Sequence, residues 1–335
     1  MNTDRGPSTA LGVSLRRQRP DGGRGERGRT RSRLRQGFGA QGSCPTKRQR
    51  EPAEGLPYKC QERDEMKIGA MTTSFRKPFE ESLAAAAALK VDGVQIWATN
   101  LTYYDPHHAV GELDPDITTE ADKRKLLAAL KSYGMGISAL CGDLGRGFVK
   151  PDHIAEDVAK TKRMMDLAAS LGVKVLTSHI GRIPEDRSAP GWKIATDALN
   201  EIGAHGDRVG VVFASETGPE AGATLAEFLR GLNTNSIRAN YDPANMVMNG
   251  FDPVEGMYAL RGLIVHTHAK DGIGPGPKRG EVPLGEGEVP WPAYLRGLRE
   301  IGYDGYLTIE REVGEDPAAD IVTAAKFLRE ELARL

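Results

Sequence analysis

The sequence predicts an α/β protein, a (β/α)8 TIM barrel preceded by a disordered N-terminal extension. Three observations predict it. From Met66 onward, short apolar runs rich in β-branched residues alternate with amphipathic, helix-length stretches, eight times over. The eight units fit residues 66–335, the size of such a barrel. Ligand-type residues then stand at the C-terminal ends of four successive runs: Glu216, Asp242, His268 and Glu310. The C-terminal rim is where barrels of this kind carry their chemistry.

The elements follow in order. Strand 67–71 precedes a helix over 79–90, with the alanine-rich string ESLAAAAALK. Strand 93–98 precedes a helix near 119–133, and strand 137–141 a long helix over 153–171. Strand 173–179 is paired with helix 192–205, and strand 211–215 with 223–232. Strand 237–241 leads to helix 254–261, strand 263–268 to 291–301, and strand 306–310 to 318–335. Gly134, Gly172, Gly210 and Gly302 close helices, as glycine does where the chain must turn left-handed. A doubly wound sheet is the main competitor. It would place a glycine-rich phosphate turn after its first strand, and MTTSFRKPF has none.

Charge divides the chain. Residues 1–65 hold 15 Lys and Arg against 8 Asp and Glu, a net of +7, while 66–335 hold 30 against 38, a net of −8. The string RGERGRTRSRLRQGFGAQG cannot bury enough apolar surface to offset the entropy of ordering, so disorder is expected for 1–65. Clustered arginines suit a nucleic-acid tail, and an Arg-rich, acid-poor start suits a transit peptide, although no amphipathic helix emerges. Met66 directly precedes the first strand, so the favoured expectation is that translation begins there and 1–65 is leader from a misplaced start. The barrel is then residues 66–335. No apolar run is long enough to span a membrane. The three cysteines (Cys44, Cys60, Cys141) follow no disulfide or metal spacing, which fits a reducing, cytoplasmic compartment. Cys141 is expected to be a buried free thiol.

Strands five to eight of a barrel are neighbours, so side chains at equivalent ends gather in one ring. Alone, Glu216 reads as a solvated loop residue, Asp242 before Pro243 as a turn opener, His268 as a core histidine and Glu310 as one charge of the ERE run. Their joint placement at four consecutive ends points to a divalent-cation site of three carboxylates and one imidazole. His266 lies two residues deeper on the same face and is expected to be a second-layer partner or core residue. Substrate contacts are expected from His179, Asn245, Lys270, Arg279 and Trp97. Glu286 and Arg279 lie in a long glycine-rich loop that reads as a lid. No glycine cluster for a phosphate follows strand seven, so an uncharged sugar or inositol derivative is preferred, although Arg146 and Arg279 suit a phosphate.

The strings ASETG, NYDPAN, VHTHAKDG, PLGEGEVPW and YDGYLTIERE resemble the sugar phosphate isomerase/epimerase family, the xylose isomerase-like TIM barrels. The resemblance covers residues 66–335. It implies that Glu216, Asp242, His268 and Glu310 bind a divalent metal, Mn²⁺ first, with Mg²⁺, Co²⁺ or Zn²⁺ as alternatives. It also implies that Glu216 and Glu310 transfer protons on opposite faces of a sugar. Ketose 3-epimerases of the family carry a histidine where this chain has Asn245. Inosose dehydratases also belong to the family. The expected function is therefore metal-dependent isomerisation or epimerisation of a sugar or polyol by proton abstraction α to a carbonyl, through an enediolate. The alternatives are an inosose-type dehydratase on the same metal site and a non-catalytic sugar-binding barrel. Abasic-site nucleases share the barrel, but they use many histidines. Seven histidines in the whole chain and a barrel net charge of −8 argue against nucleic acid. The expected partner is a small molecule, with no membrane, and homo-oligomers are common among such barrels.

Overall fold

The computed structural model describes residues 65–99 and 112–335. The extension expected over 1–65 lies outside the described residues, apart from Glu65. The described residues belong to one compact unit, Cys60–Leu335.

In chain order the strands are β1 (Lys67–Met71), β2 (Gly93–Trp97), β3 (Gly136–Cys141), β4 (Val175–Ser178), β5 (Val212–Glu216), β6 (Ile237–Tyr241), β7 (Ile264–Ala269), β8 (Asp271–Ile273), β9 (Gly280–Val282) and β10 (Tyr306–Ile309). Eight of them close a parallel barrel in the order β1-β10-β7-β6-β5-β4-β3-β2. The helices are α1 (Phe79–Ala88), α2 (Glu120–Tyr133), α3 (Ile154–Ser170), α4 (Pro190–Val209), α5 (Gly222–Arg230), α6 (Pro243–Met248), α7 (Pro253–Ala259), α8 (Trp291–Glu300) and α9 (Pro317–Leu332). Every predicted strand–helix pair is present.

Local chemistry explains the helix ends. Thr119 accepts from the Asp122 amide and Asp122 accepts from the Thr119 amide, a reciprocal cap that starts α2. Gly134 and Gly210, at φ 71° and 70°, end α2 and α4 in the left-handed conformation that costs glycine least.

Alternation along the strands sends apolar residues outward and polar ones inward. Val94 and Ile96 are fully buried in the apolar core that the strands share with the helices, and Gln95 between them faces the barrel interior. The interior holds a deep polar layer of Ser138, Asn240, His266 and Thr308, joined by hydrogen bonds. Above it, toward the strand C-termini, come Glu216, Asp242, His268 and Glu310.

The structure adds two features to the predicted pattern. A short helix, α6, follows Asp242 directly. The expected open loop 271–290 contains an antiparallel pair, β8–β9, with Asp271 opposite Val282. Its organiser is the buried Asp271 carboxylate, which accepts from the amides of Gly272 (2.9 Å), Gly285 (2.9 Å) and Val289 (3.2 Å) and from Trp291 Nε1 (2.9 Å). The stretch reads as a loop in sequence because three of the four groups that hold Asp271 lie 14 to 20 residues further along the chain.

Gly287 packs against that carboxylate. A Cβ there would stand 2.1 Å from Asp271 Oδ1 and 2.7 Å from the Gly272 nitrogen. Substituting Gly287→Ala is expected to destabilise the fold by about 1–3 kcal/mol, the usual effect of overpacking. Urea midpoints of the two proteins measure it, and equal midpoints would show that the turn yields freely.

Candidate metal centre and active site

Strand register brings the four ligand-type residues together. Glu216 ends β5 beside Asn240 of β6, and His268 of β7 lies beside Thr308 of β10. Asp242 and Glu310 each stand one residue past the end of their strand. One donor atom from each of Glu216, Asp242, His268 and Glu310 falls within a set whose members all lie within 4.8 Å of one another. His268 Nδ1 is the hub. It lies 3.3 Å from Glu216 Oε1, 3.1 Å from Glu310 Oε2 and 3.8 Å from Asp242 Oδ2.

Asp242 does two jobs. Its Oδ1 accepts the Asn245 amide at 2.9 Å and caps α6, as the Asp-Pro pair suggested. Its Oδ2 is buried with no hydrogen-bond partner, and so is His268 Nδ1. Burying an unpaired polar atom costs about 1–3 kcal/mol. Two such atoms facing each other among carboxylates fit a divalent cation, whose hard-oxygen and imidazole preference this donor set matches. The residues therefore fit the metal that sequence reasoning expects.

Charge within the cluster is strongly coupled. Burial acts to lower the His268 imidazole, but the Glu310 and Glu216 carboxylates outweigh it and hold its pKa well above the ordinary value. Burial acts to raise Glu310, yet His268 and Lys270 hold it well below the usual carboxylate range. Lys270 is opposed by burial and held up by Glu310 and Asp242. Deeper in the barrel, burial and the neighbouring His268 keep His266 neutral, with a pKa well below the ordinary value.

The expected substrate residues divide. Lys270 Nζ lies 3.0 Å from Glu310 Oε2 and 3.8 Å from Asp242 Oδ2, and also pairs with Glu312. Asn245 Nδ2 donates to Glu216 Oε1 at 3.1 Å and to Thr217 O at 3.2 Å. His179 Nε2 is 3.7 Å from Glu216 Oε1, while its Nδ1 donates to Asp143 Oδ2 at 2.6 Å. The His179 side chain is 42% exposed, whereas the four ligand residues are each 8% exposed or less, so His179 faces the mouth. Burial acts to lower this imidazole, but Glu216 and Asp143 outweigh it and raise its pKa to about 10. Trp97 ends β2, and its amide donates to Glu112 Oε2 at 3.2 Å. Arg279 stands apart: its side chain is committed to Met248 O (2.6 Å) and Asn249 Oδ1 (3.3 Å). Arg146 pairs with Asp157. Cys141 is a buried free thiol at the end of β3, pushed well above its ordinary pKa by burial and then by Asp143.

The sequence profile of the family described as xylose isomerase-like TIM barrel matches residues 83–331. The chain belongs to that family. Among curated proteins, it is 28% identical over 177 residues to an uncharacterised protein of Methanocaldococcus jannaschii, a match covering 49% of this chain and 58% of the other. The chain thus spans little over half the length of that relative. It is 25% identical over 256 residues to a putative hydroxypyruvate isomerase of Streptomyces coelicolor, covering 72% of this chain and 88% of the relative. Among solved structures, a xylose isomerase domain protein from Planctomyces limnophilus superposes with a TM-score of 0.67 at 29% identity, covering 81% of this chain and all of the other. No described helix of this xylose isomerase-like barrel is long and apolar enough to cross a membrane.

Sequence reasoning missed several groups. Gln95 sits 3.0 Å from His268 Nε2, and Asn240 reaches Glu216 Oε2 at 3.4 Å. Both are mid-strand polar residues, and the inward alternation of β2 and β6 was their signal. Three glutamates around the barrel, Glu112, Glu220 and Glu281, are raised to about 7, in each case chiefly by burial. Glu220 follows Glu216 by four residues, and neither of its oxygens has a hydrogen-bond partner. The nearby Ile183 amide and the Arg182 charge only partly offset its burial.

Glu220 makes a signed prediction. Its folded pKa of about 7 exceeds its ordinary 4.5, so the folded protein binds the extra proton. Its contribution to stability is complete below about pH 4.5 and is lost as pH rises through about 7. Glu220→Gln is expected to remove that loss and to be the more stable protein at pH 8, by up to about 3 kcal/mol. Denaturant midpoints at pH 5 and pH 8 measure this, and parallel pH profiles for the two proteins would refute it.

Proposed function

We propose that this barrel is a divalent-metal-dependent isomerase or epimerase of a small sugar or polyol, working by proton abstraction α to a carbonyl. One observation carries the reading: two glutamates, Glu216 and Glu310, lie on either side of an unpartnered His268 Nδ1 and face the unpartnered Asp242 Oδ2. Glu216, Asp242, His268 and Glu310 would hold the cation, Mn²⁺ first by its oxygen-and-imidazole donors. A bound cation supplies Lewis-acid polarisation of a substrate carbonyl.

The remaining chemistry belongs to the chain. A carboxylate removes the proton next to the carbonyl and a second group returns it. Return to the same carbon from the other side gives epimerisation, and return to the adjacent carbon gives isomerisation. His268 and Lys270, 3.1 and 3.0 Å from Glu310, keep that carboxylate ionised, which suits it to the role of base. Glu216 is braced by Asn245 and Asn240 and approached by His179 at the mouth, which gives it a route for proton exchange. Asn245 offers an amide where ketose 3-epimerases offer an imidazole, so it orients Glu216 and moves no proton.

Lys270, His179 and Arg146 each pair with a carboxylate. That commitment supports an uncharged sugar or inositol derivative over a phosphate ester. The name of the Streptomyces relative adds hydroxypyruvate, a short α-hydroxy carbonyl compound, to the candidates.

The test screens ketoses, inososes, sugar phosphates and hydroxypyruvate with metal-stripped protein, Mn²⁺ added back, in deuterated water. Deuterium is expected at the carbon next to the carbonyl only when metal is present. Loss of a β-hydroxyl instead would mark a dehydratase. Glu310→Gln is expected to lower turnover by about 10²- to 10⁴-fold, the usual worth of a positioned base. Turnover indifferent both to chelation and to Glu310→Gln would remove the proposal.

A further inference from the structure

We propose that Gln95, three strands around the barrel from His268, is a positioning residue that fixes which nitrogen of His268 carries the proton and so leaves Nδ1 free to bind the cation. The inference rests on the metal-centre reading and adds a residue outside the ligand set.

The two nitrogens of His268 have unlike surroundings. Nδ1 faces the carboxylates of Glu216 and Glu310 at 3.3 and 3.1 Å. Nε2 faces Gln95 Oε1 at 3.0 Å. A neutral imidazole carries one proton, and it sits on the nitrogen that does not ligate. With Nδ1 as the ligand, the Nε2–H is buried and requires an acceptor.

The orientation of the Gln95 amide is dictated from the barrel wall. A backbone carbonyl can only accept, so Leu140 O takes the Thr177 hydroxyl proton at 3.4 Å. The Thr177 oxygen is then left to accept from Gln95 Nε2 at 2.8 Å. The amide nitrogen thus points to Thr177 and the amide oxygen to His268. A chain of three hydrogen bonds, beginning at one carbonyl of β3, sets the tautomer of a ligand on β7.

A second amide competes for the same nitrogen. Asn240 Nδ2 lies 3.2 Å from His268 Nε2 and donates to it whenever that nitrogen is bare. With Nε2 protonated, Asn240 has Glu216 Oε2 at 3.4 Å as its other acceptor, and its oxygen accepts from His266 Nδ1 at 2.9 Å. His266 Nε2 in turn accepts from the Thr308 hydroxyl at 2.9 Å. With Gln95 Oε1 taking the Nε2 proton, the lone pair of a neutral His268 stands on Nδ1, beside the unpartnered Asp242 Oδ2.

Removing the brace leaves the Nε2–H without its acceptor. The proton then favours Nδ1, where two carboxylates accept it and where it must be displaced before a cation binds. Gln95→Leu is expected to weaken Mn²⁺ binding to metal-stripped protein by about 10- to 100-fold, as measured by calorimetry. Gln95→Glu, which keeps an acceptor, is expected to bring affinity back to within about three-fold of wild type, a rescue that a purely packing role would not give. Long-range ¹H–¹⁵N spectra of the Zn²⁺-loaded wild-type protein are expected to show His268 protonated at Nε2. A folded Gln95→Leu protein binding Mn²⁺ within about two-fold of wild type would overturn the proposal and leave the metal centre standing. So would a bare Nε2 in the spectra, which decide the matter even where Gln95→Leu does not fold. Wild-type protein that binds no Mn²⁺ would overturn the metal-centre reading and this inference together.

Discussion

Three carboxylates held close together in a low-dielectric interior repel one another, and the rim of this barrel is organised around relieving that repulsion. His268 Nδ1 stands between Glu216 and Glu310, and Lys270 leans on Glu310 and Asp242. Two buried atoms, Asp242 Oδ2 and His268 Nδ1, still lack a partner. A divalent cation at their common focus would answer the whole arrangement. The same concentration of negative charge suits the site to holding a cation.

Such a cluster holds its shape only if its supports are rigid. The layer beneath it, Asn240, His266, Thr308 and Ser138, is closed by hydrogen bonds and contains a neutral histidine. On the outer side, the loop after β7 is knotted to the buried Asp271, directly after Lys270. Arg311, directly after Glu310, is clamped between Glu281 and Asp320. Each of these two charged rim residues is thus followed by one whose side chain is committed to anchoring the loop. This is how a rim built from loops is held in a fixed geometry.

The scaffold leaves the reaction outcome to the substrate's position. Proton removal next to a carbonyl is common to epimerisation, isomerisation and dehydration, and under the proposed reading Glu216 and Glu310 would serve all three. What differs is which group stands over the second carbon. His179 stands at the mouth, held by Asp143 and 3.7 Å from Glu216 Oε1. Arg279, turned to the end of α6, takes no part in the cluster.

The sequence by itself determined the eightfold strand–helix alternation and picked out the four residues that cluster at the rim. Both are carried by local signals: period, glycine caps, and a ligand-type residue at each of four successive run ends. It also placed Lys270, Asn245 and His179 near the cluster through their closeness in sequence to rim positions. Tertiary structure alone decided the rest. Gln95 gains its meaning only when barrel closure sets β2 opposite β7, and no spacing along the chain encodes that distance. Asp271 acquires its role only when the chain up to Trp291 folds back and delivers two distant amides and an indole N–H to its carboxylate. Glu112, Glu220 and Glu281 carry no mark of their burial along the chain, because burial is a property of what packs around a side chain, not of the side chain. Periodicity is written along the chain; which atoms face one another across a closed barrel is fixed by strand tilt and register, and these arise only when all eight strands pair.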